Sequence, residues 1–112
     1  MTLHQLQYFE ILARTQHYQR TAELLGISQP TLSRAINSLE LELGTPLFER
    51  QGRNVVLSRF GRIFAEHIFS AMQELNTGID HVRELLDPEK GSIDVSLIYA
   101  VANIYFPRLL RG

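Results

Sequence analysis

Ala22-Glu23-Leu24-Leu25-Gly26-Ile27-Ser28-Gln29-Pro30-Thr31-Leu32-Ser33-Arg34-Ala35-Ile36 is the stretch that decides the fold of this 112-residue chain. Two helical patterns meet there at a glycine. Ala22 and Leu25 share one face of a short helix, about Arg20 to Leu25. Gly26 stands where the backbone must turn with positive φ, which glycine tolerates. Ile27 is an apolar plug, Ser28 an N-cap, and Pro30 falls in the first turn, where no backbone donor is missed. Leu32, Ile36, Leu39 and Leu43 then recur at helical spacing to about residue 43. Ala22 is small enough to let the second helix approach closely, and Gly26, Ile27, Leu32 and Ile36 fix the crossing. This is the helix-turn-helix pattern. Its geometry projects the second helix toward a DNA major groove.

The polar face of that second helix suits such a target. It carries Pro30, Thr31, Ser33, Arg34, Asn37 and Ser38, with Gln29 at the N-terminal tip. Gln pairs with adenine, Arg with guanine, and Thr or a small apolar surface with a thymine methyl. The helix dipole and free backbone donors of the tip favour phosphate. Glu40 and Glu42 come only at the far end.

Outward from this centre, Thr2 and Gln5 form a capping box that starts a first helix. Leu3, Leu6, Phe9 and Ala13 mark its buried stripe, which runs to about Thr15. After Leu43, Gly44 and Pro46 stop the helix. Residues 47–50 and 54–57 read as two short strands around a Gln51-Gly52-Arg53 turn. Arg50 and Arg53 flank the glycine of this wing, placed for phosphates or a narrow minor groove. Ser58 caps a helix over about 59–86, roughly 40 Å long and too long for so small a domain to cover. Phe64, Ile68, Ala71, Leu75, Ile79, Val82 and Leu86 form a coiled-coil-like seam on it, with a stutter near Gly78. The seam predicts self-association. Beyond Asp87-Pro88, Ile93 to Leu97 alternates as a strand and Val101 to Arg111 reads as helical.

The net charge of −1 obscures a local asymmetry. Arg50, Arg53, Arg59 and Arg62 lie together without an acid among them, while most acids follow from Glu66 onward. The chain has no Cys, so disulfides, thiolate zinc sites and thiol nucleophiles are excluded. His4, His17, His67 and His81 have no companions at metal-ligand spacing, and no Gly-rich phosphate loop or nucleophile grouping is present. The expectation is therefore no enzyme, no cofactor and no metal. The N-terminus lacks a signal peptide pattern, and no stretch suits a membrane span. The rival reading is a winged helix used for protein contact, with the long helix as a partner surface. Salt separates the two, because phosphate binding weakens steeply with ionic strength.

Several stretches match one family in register. These are Ala22-Glu23, Ser28-Gln29-Pro30-Thr31-Leu32-Ser33-Arg34, Ile36, Leu39-Glu40, Glu42-Leu43-Gly44, Pro46-Leu47-Phe48-Glu49-Arg50 and Arg53. Over about residues 1–86 the chain resembles LysR-type bacterial transcriptional regulators. The resemblance implies a mainly α fold, with three helices and a two-stranded wing followed by a long dimerisation helix. It implies a DNA-binding domain at 1–58, a linker helix at 59–87, and at 88–112 the first strand and helix of a truncated, two-lobed effector domain. The chain thus reads as a fragment. By position, Gln29, Pro30, Ser33 and Arg34 would read bases or line the groove, Thr31 would lie beside them, and Arg53 would be the wing contact. Implied partners are double-stranded DNA and a second copy, with tetramers beyond, in a bacterial cytoplasm at the nucleoid. A small-molecule effector would act only in a full-length chain, and Tyr99 and Ala100 depart from the hydroxyl residues the family often has there. Arg59-Phe60-Gly61 also departs from the commoner small pair before the glycine.

Overall fold

A computed structural model describes residues 1–87; the strand and helix expected over 93–97 and 101–111 lie outside the described residues. The elements are α1 (Leu3–Thr15), α2 (Tyr18–Leu25), α3 (Gln29–Leu43), β1 (Phe48–Gln51), β2 (Asn54–Leu57) and α4 (Arg59–Leu86). The strands pair antiparallel, with Phe48 opposite Leu57 and Gln51 opposite Asn54, so the described part is mainly helical with one hairpin. Met1–Gln73 forms one compact unit and a second begins at Glu74.

Local chemistry accounts for each boundary. Thr2 Oγ1 accepts from Gln5 N–H, and Gln5 Oε1 accepts from Thr2 N–H, closing the capping box. The second helix starts at Tyr18, two residues before the sequence expectation. His17 Nδ1 accepts from Arg20 N–H, an imidazole serving as N-cap where a Ser or Asp is more usual. Gly26 adopts φ +68° and ends α2, its N–H donating to Ala22 and Glu23 carbonyls. Ser28 Oγ caps α3 by accepting from Thr31 N–H at 3.2 Å.

The first strand also departs from expectation, beginning at Phe48 instead of Leu47. Leu47 is buried and its backbone is committed elsewhere. Its N–H donates to Glu40 and its carbonyl accepts from Ser58 N–H.

Phe9, Leu12, Leu32, Ile36, Leu39 and Leu47 are fully buried and form the centre of the first unit. Each such side chain stabilises by about 1.5–3 kcal/mol relative to exposure. Phe9 joins the layers, with ring centroids 5.5 Å from Phe48 of the wing and 5.1 Å from Phe64 of α4. Two positions of the expected stripes fall outside this core: Leu3 and Leu43 are exposed, while Leu12 replaces Leu3 inside. Helix ends reach past the neighbouring element, so the periodic pattern continues where there is nothing left to pack on.

The first part of α4 belongs to the same unit. Gly61, Ala65, Ile68 and Met72 are buried in it. Ile68 therefore faces the core of its own domain, and Phe64 packs against that core. Ala71 is exposed, its neighbour Met72 being the residue turned inward. In the second unit, Leu75, Ile79, Val82 and Leu86 are all exposed, as is Leu85.

Candidate nucleic-acid interface

Helix α3 separates cleanly into two faces. Leu32, Ile36 and Leu39 are at 0% exposure, and Gln29, Pro30, Arg34, Asn37 and Ser38 are exposed. At 100° per residue, Pro30, Arg34 and Asn37 stand almost opposite the buried stripe. Thr31 and Ser33 are half-buried at the flanks of that face. Leu41 continues the Pro30–Arg34–Asn37 line and is 83% exposed, an apolar end to a polar surface.

Thr31 is the most constrained polar group on the tip. Its Oγ1 lies 2.7 Å from Ser28 Oγ, and Arg34 Nη2 donates to it at 3.5 Å. It therefore ties the cap of the helix to the guanidinium one turn on.

The helix-turn-helix residues sit as the pattern requires. Ala22 is buried against the core and Ile27 packs half-buried beside it. The turn closes by a hydrogen bond from Ile27 N–H to Ala22 O at 3.1 Å. Thr21 is fully buried, and its hydroxyl bonds to that of Thr15, which joins α2 to the end of α1.

The wing places Arg50 on β1 and Arg53 in the two-residue loop, both exposed. Neither they nor Arg34, Arg59 or Arg62 joins an ion pair among the described residues, so these five guanidiniums are not held in internal ion pairs. Arg14 is different: it pairs with Glu10 at 3.5 Å and lies 4.2 Å over the Phe69 ring, a packing role.

Three residues position the elements around this face, and of them the sequence reading assigned only Ser58, as the cap of α4. Glu40 Oε2 accepts from Leu47 N–H at 2.6 Å and Phe48 N–H at 3.4 Å, clipping α3 to the entry of β1. Ser58, buried, donates from Oγ to Pro46 O at 2.8 Å and accepts from Gly61 N–H at 3.0 Å. Gly61 lets α4 cross that junction closely, since a Cβ there would lie 2.0 Å from the Leu47 carbonyl oxygen. The capping role of Ser58 was legible from its place before an apolar run. The partners of Glu40 and Gly61 are set by tertiary contacts and leave no local signal. Tyr18, the half-buried first residue of α2, has its pKa raised, first by burial and then by Glu40, with Arg50 opposing.

Two of the histidines serve local structure. His17 caps α2, and the His4 ring stacks on Tyr8 at 6.1 Å. No described helix is long and apolar enough to cross a membrane.

Comparison with known proteins agrees with this architecture. The family model described as "Bacterial regulatory helix-turn-helix protein, lysR family" matches residues 3–62. An uncharacterised HTH-type transcriptional regulator of Bacillus subtilis strain 168, YybE, is 39% identical over 98% of this chain and 38% of its own length. The HTH-type transcriptional regulator IlvR of Caulobacter vibrioides is 37% identical over 99% of this chain and 38% of its own. The chain thus spans a little over a third of the length of these curated relatives. Among solved structures, the BenM DBD in complex with catB site 1 DNA superposes with a TM-score of 0.73 at 31% identity, covering 78% of this chain and 97% of that one. The CbnR DBD–DNA complex gives 0.69 at 30% identity, over 78% and 100%. Sequence match, strand-for-strand wing and helix order agree, and the chain belongs to the LysR family of bacterial regulatory helix-turn-helix proteins.

Proposed function

We propose that this chain binds double-stranded DNA sequence-specifically in the control of transcription. The observation that carries the reading is the α3 face: exposed Pro30, Arg34 and Asn37 set back to back with a fully buried stripe, with Gln29 exposed at the tip and Ser38 at the flank. Such a helix can enter a major groove without giving up core packing. Arg34 offers a bidentate contact to guanine and Gln29 one to adenine. Thr31 and Ser33 line the flanks. Arg50 and Arg53, free of internal ion pairs, neutralise phosphates or enter the minor groove beside the wing. Solved complexes of the BenM and CbnR DBDs with DNA support this docking by likeness of fold.

The reading extends to a second copy. A groove on α4 is lined by Glu74, Leu75, Gly78, Ile79, Val82 and Arg83. Apolar side chains repeated along one helix favour an equivalent helix over solvent. On this reading residues 1–58 contact DNA, 59–87 join two copies, and 88–112 begin an effector domain that would bind a small molecule in a longer chain. Phe64 and Ile68 contribute to the joint by fixing α4 on its own domain, and Leu75, Ile79, Val82 and Leu86 by meeting the partner. Pairing of dimers into tetramers belongs to the same reading, as does a place at the bacterial nucleoid.

Titration with random and selected duplexes across ionic strength tests the central claim. Log affinity should fall linearly with log salt, at about −0.9 per phosphate engaged. A chain that forms no complex at low ionic strength would end the proposal, and binding indifferent to salt would favour an apolar protein partner.

A further inference from the structure

We infer that Glu40 is a positioning residue, one that holds the wing in register with α3 so that groove tip and wing arginines engage a single duplex together. The inference rests on the DNA-binding reading above and adds a role to an acid that the groove itself does not use.

The wing is anchored from three elements, at its base and beside its tip. Val55 N–H donates to Gln16 O on the α1 side, at 3.1 Å. Ser58, at the start of α4, holds Leu47 O and Pro46 O. The α3 side is held by Glu40. Among the described residues it is the one side chain of α3 that hydrogen-bonds to β1 or its entry. One carboxylate oxygen gathers two successive backbone donors, Leu47 N–H at 2.6 Å and Phe48 N–H at 3.4 Å. The Leu47 contact has the short length of a charge-assisted bond. Leu47 precedes the ladder, so its N–H has no strand partner, and the residue is buried. Removing the carboxylate leaves that donor unsatisfied, and the segment must shift to find water.

The shift would be felt at the arginines. Phe48 is two residues from Arg50 and opens the hairpin that carries Arg53 at its tip. The Gly44-Thr45-Pro46 turn joins α3 to this strand, and Glu40 spans it from one side to the other. The same region is electrostatically joined, since Tyr18 senses both Glu40 and Arg50. A carboxylate at this place thus does for the wing angle what Gly26 does for the helix angle.

Two measurements test the role, one without DNA. In Glu40→Ala, amide exchange at Leu47 and Phe48 should quicken about tenfold or more, while core amides of α1 stay protected. Glu40→Gln keeps an acceptor oxygen and should quicken them only about threefold. It serves in both measurements if the alanine variant does not fold. The second is a double-mutant cycle on affinity for the tightest duplex selected from a randomised library. Glu40→Ala should weaken binding about tenfold and leave the ranking of base variants unchanged, and it should cost little further in an Arg53→Ala background. Unchanged exchange at Leu47 and Phe48, or losses that multiply in the double variant, would overturn the inference. A wild-type chain that binds no duplex would instead remove the DNA reading and the wing half of this inference with it. The exchange result would still decide the clip.

Discussion

Arg34 stands one turn past Pro30 on the exposed face of α3, with Thr31 Oγ1 accepting from its guanidinium. A side chain so placed is partly ordered before any base arrives, which lowers the entropy lost on contact. Arg34→Ala is expected to weaken specific binding by about 1–3 kcal/mol and to relax base choice at one position. Competition among operator variants checks this, and an unchanged ranking would take Arg34 out of the reading set. Tyr18 carries a second expectation at this scale. Its proton is held more tightly in the folded chain than in the unfolded one, because burial and the nearby Glu40 disfavour the phenolate more than Arg50 favours it. The resulting stability is complete below about pH 10 and is lost as pH rises through the folded pKa. Denaturation midpoints measured between about pH 9 and 11.5 should fall in the wild type and stay flatter in Tyr18→Phe. Identical alkaline limbs would assign the loss to another group.

At the scale of elements, the junction of β1, β2 and α4 depends on how closely a helix can approach a backbone. Alanine normally stabilises a helix over glycine by about 1 kcal/mol. At Gly61 the sign should reverse, because the new Cβ would sit 2.0 Å from the Leu47 carbonyl oxygen. Gly61→Ala is expected to destabilise by about 1–3 kcal/mol through overpacking. Gly78 lies on the same helix with nothing within 4 Å of its added Cβ. Gly78→Ala should stabilise by up to about 1 kcal/mol. Chemical denaturation of the pair checks both. A neutral Gly61→Ala would mean that α4 slides readily over the wing base. A destabilised Gly78→Ala that also loses self-association would place a second copy directly against that glycine.

The whole molecule poses the question of what its apolar surface meets. The seam expected from sequence divides: Ile68 is in the first unit's core with Phe64 packed against it, and Leu75, Ile79, Val82 and Leu86 remain uncovered in the second. Leu75→Asp should dissociate a dimer, since an unpaired charge buried in an apolar seam costs on the order of several kcal/mol. Sedimentation velocity reads the result, and an intact dimer in the Asp variant would exclude that face. Binding of a palindromic duplex should weaken in parallel, because two tips held together act at high effective concentration.

Local signals determined much of this protein. The periodic aliphatics, the caps at Thr2, Ser28 and Ser58, the breaks at Gly26 and Gly44 and the turn at Gly52 placed α1, α3, β2 and α4 by backbone rules that act within a few residues. The polar face of α3 was legible for the same reason, since its buried and exposed sides alternate with the helical repeat. Tertiary contacts decided what remained. Leu12 and not Leu3 enters the core, and Met72 and not Ala71 faces it. Glu40 turns from solvent to the wing, and Gly61 yields its side-chain space to a carbonyl. Each of these depends on residues distant in the chain arriving at one place. Spacing along a helix says which side chains share a face, and only packing says which of them find a neighbour.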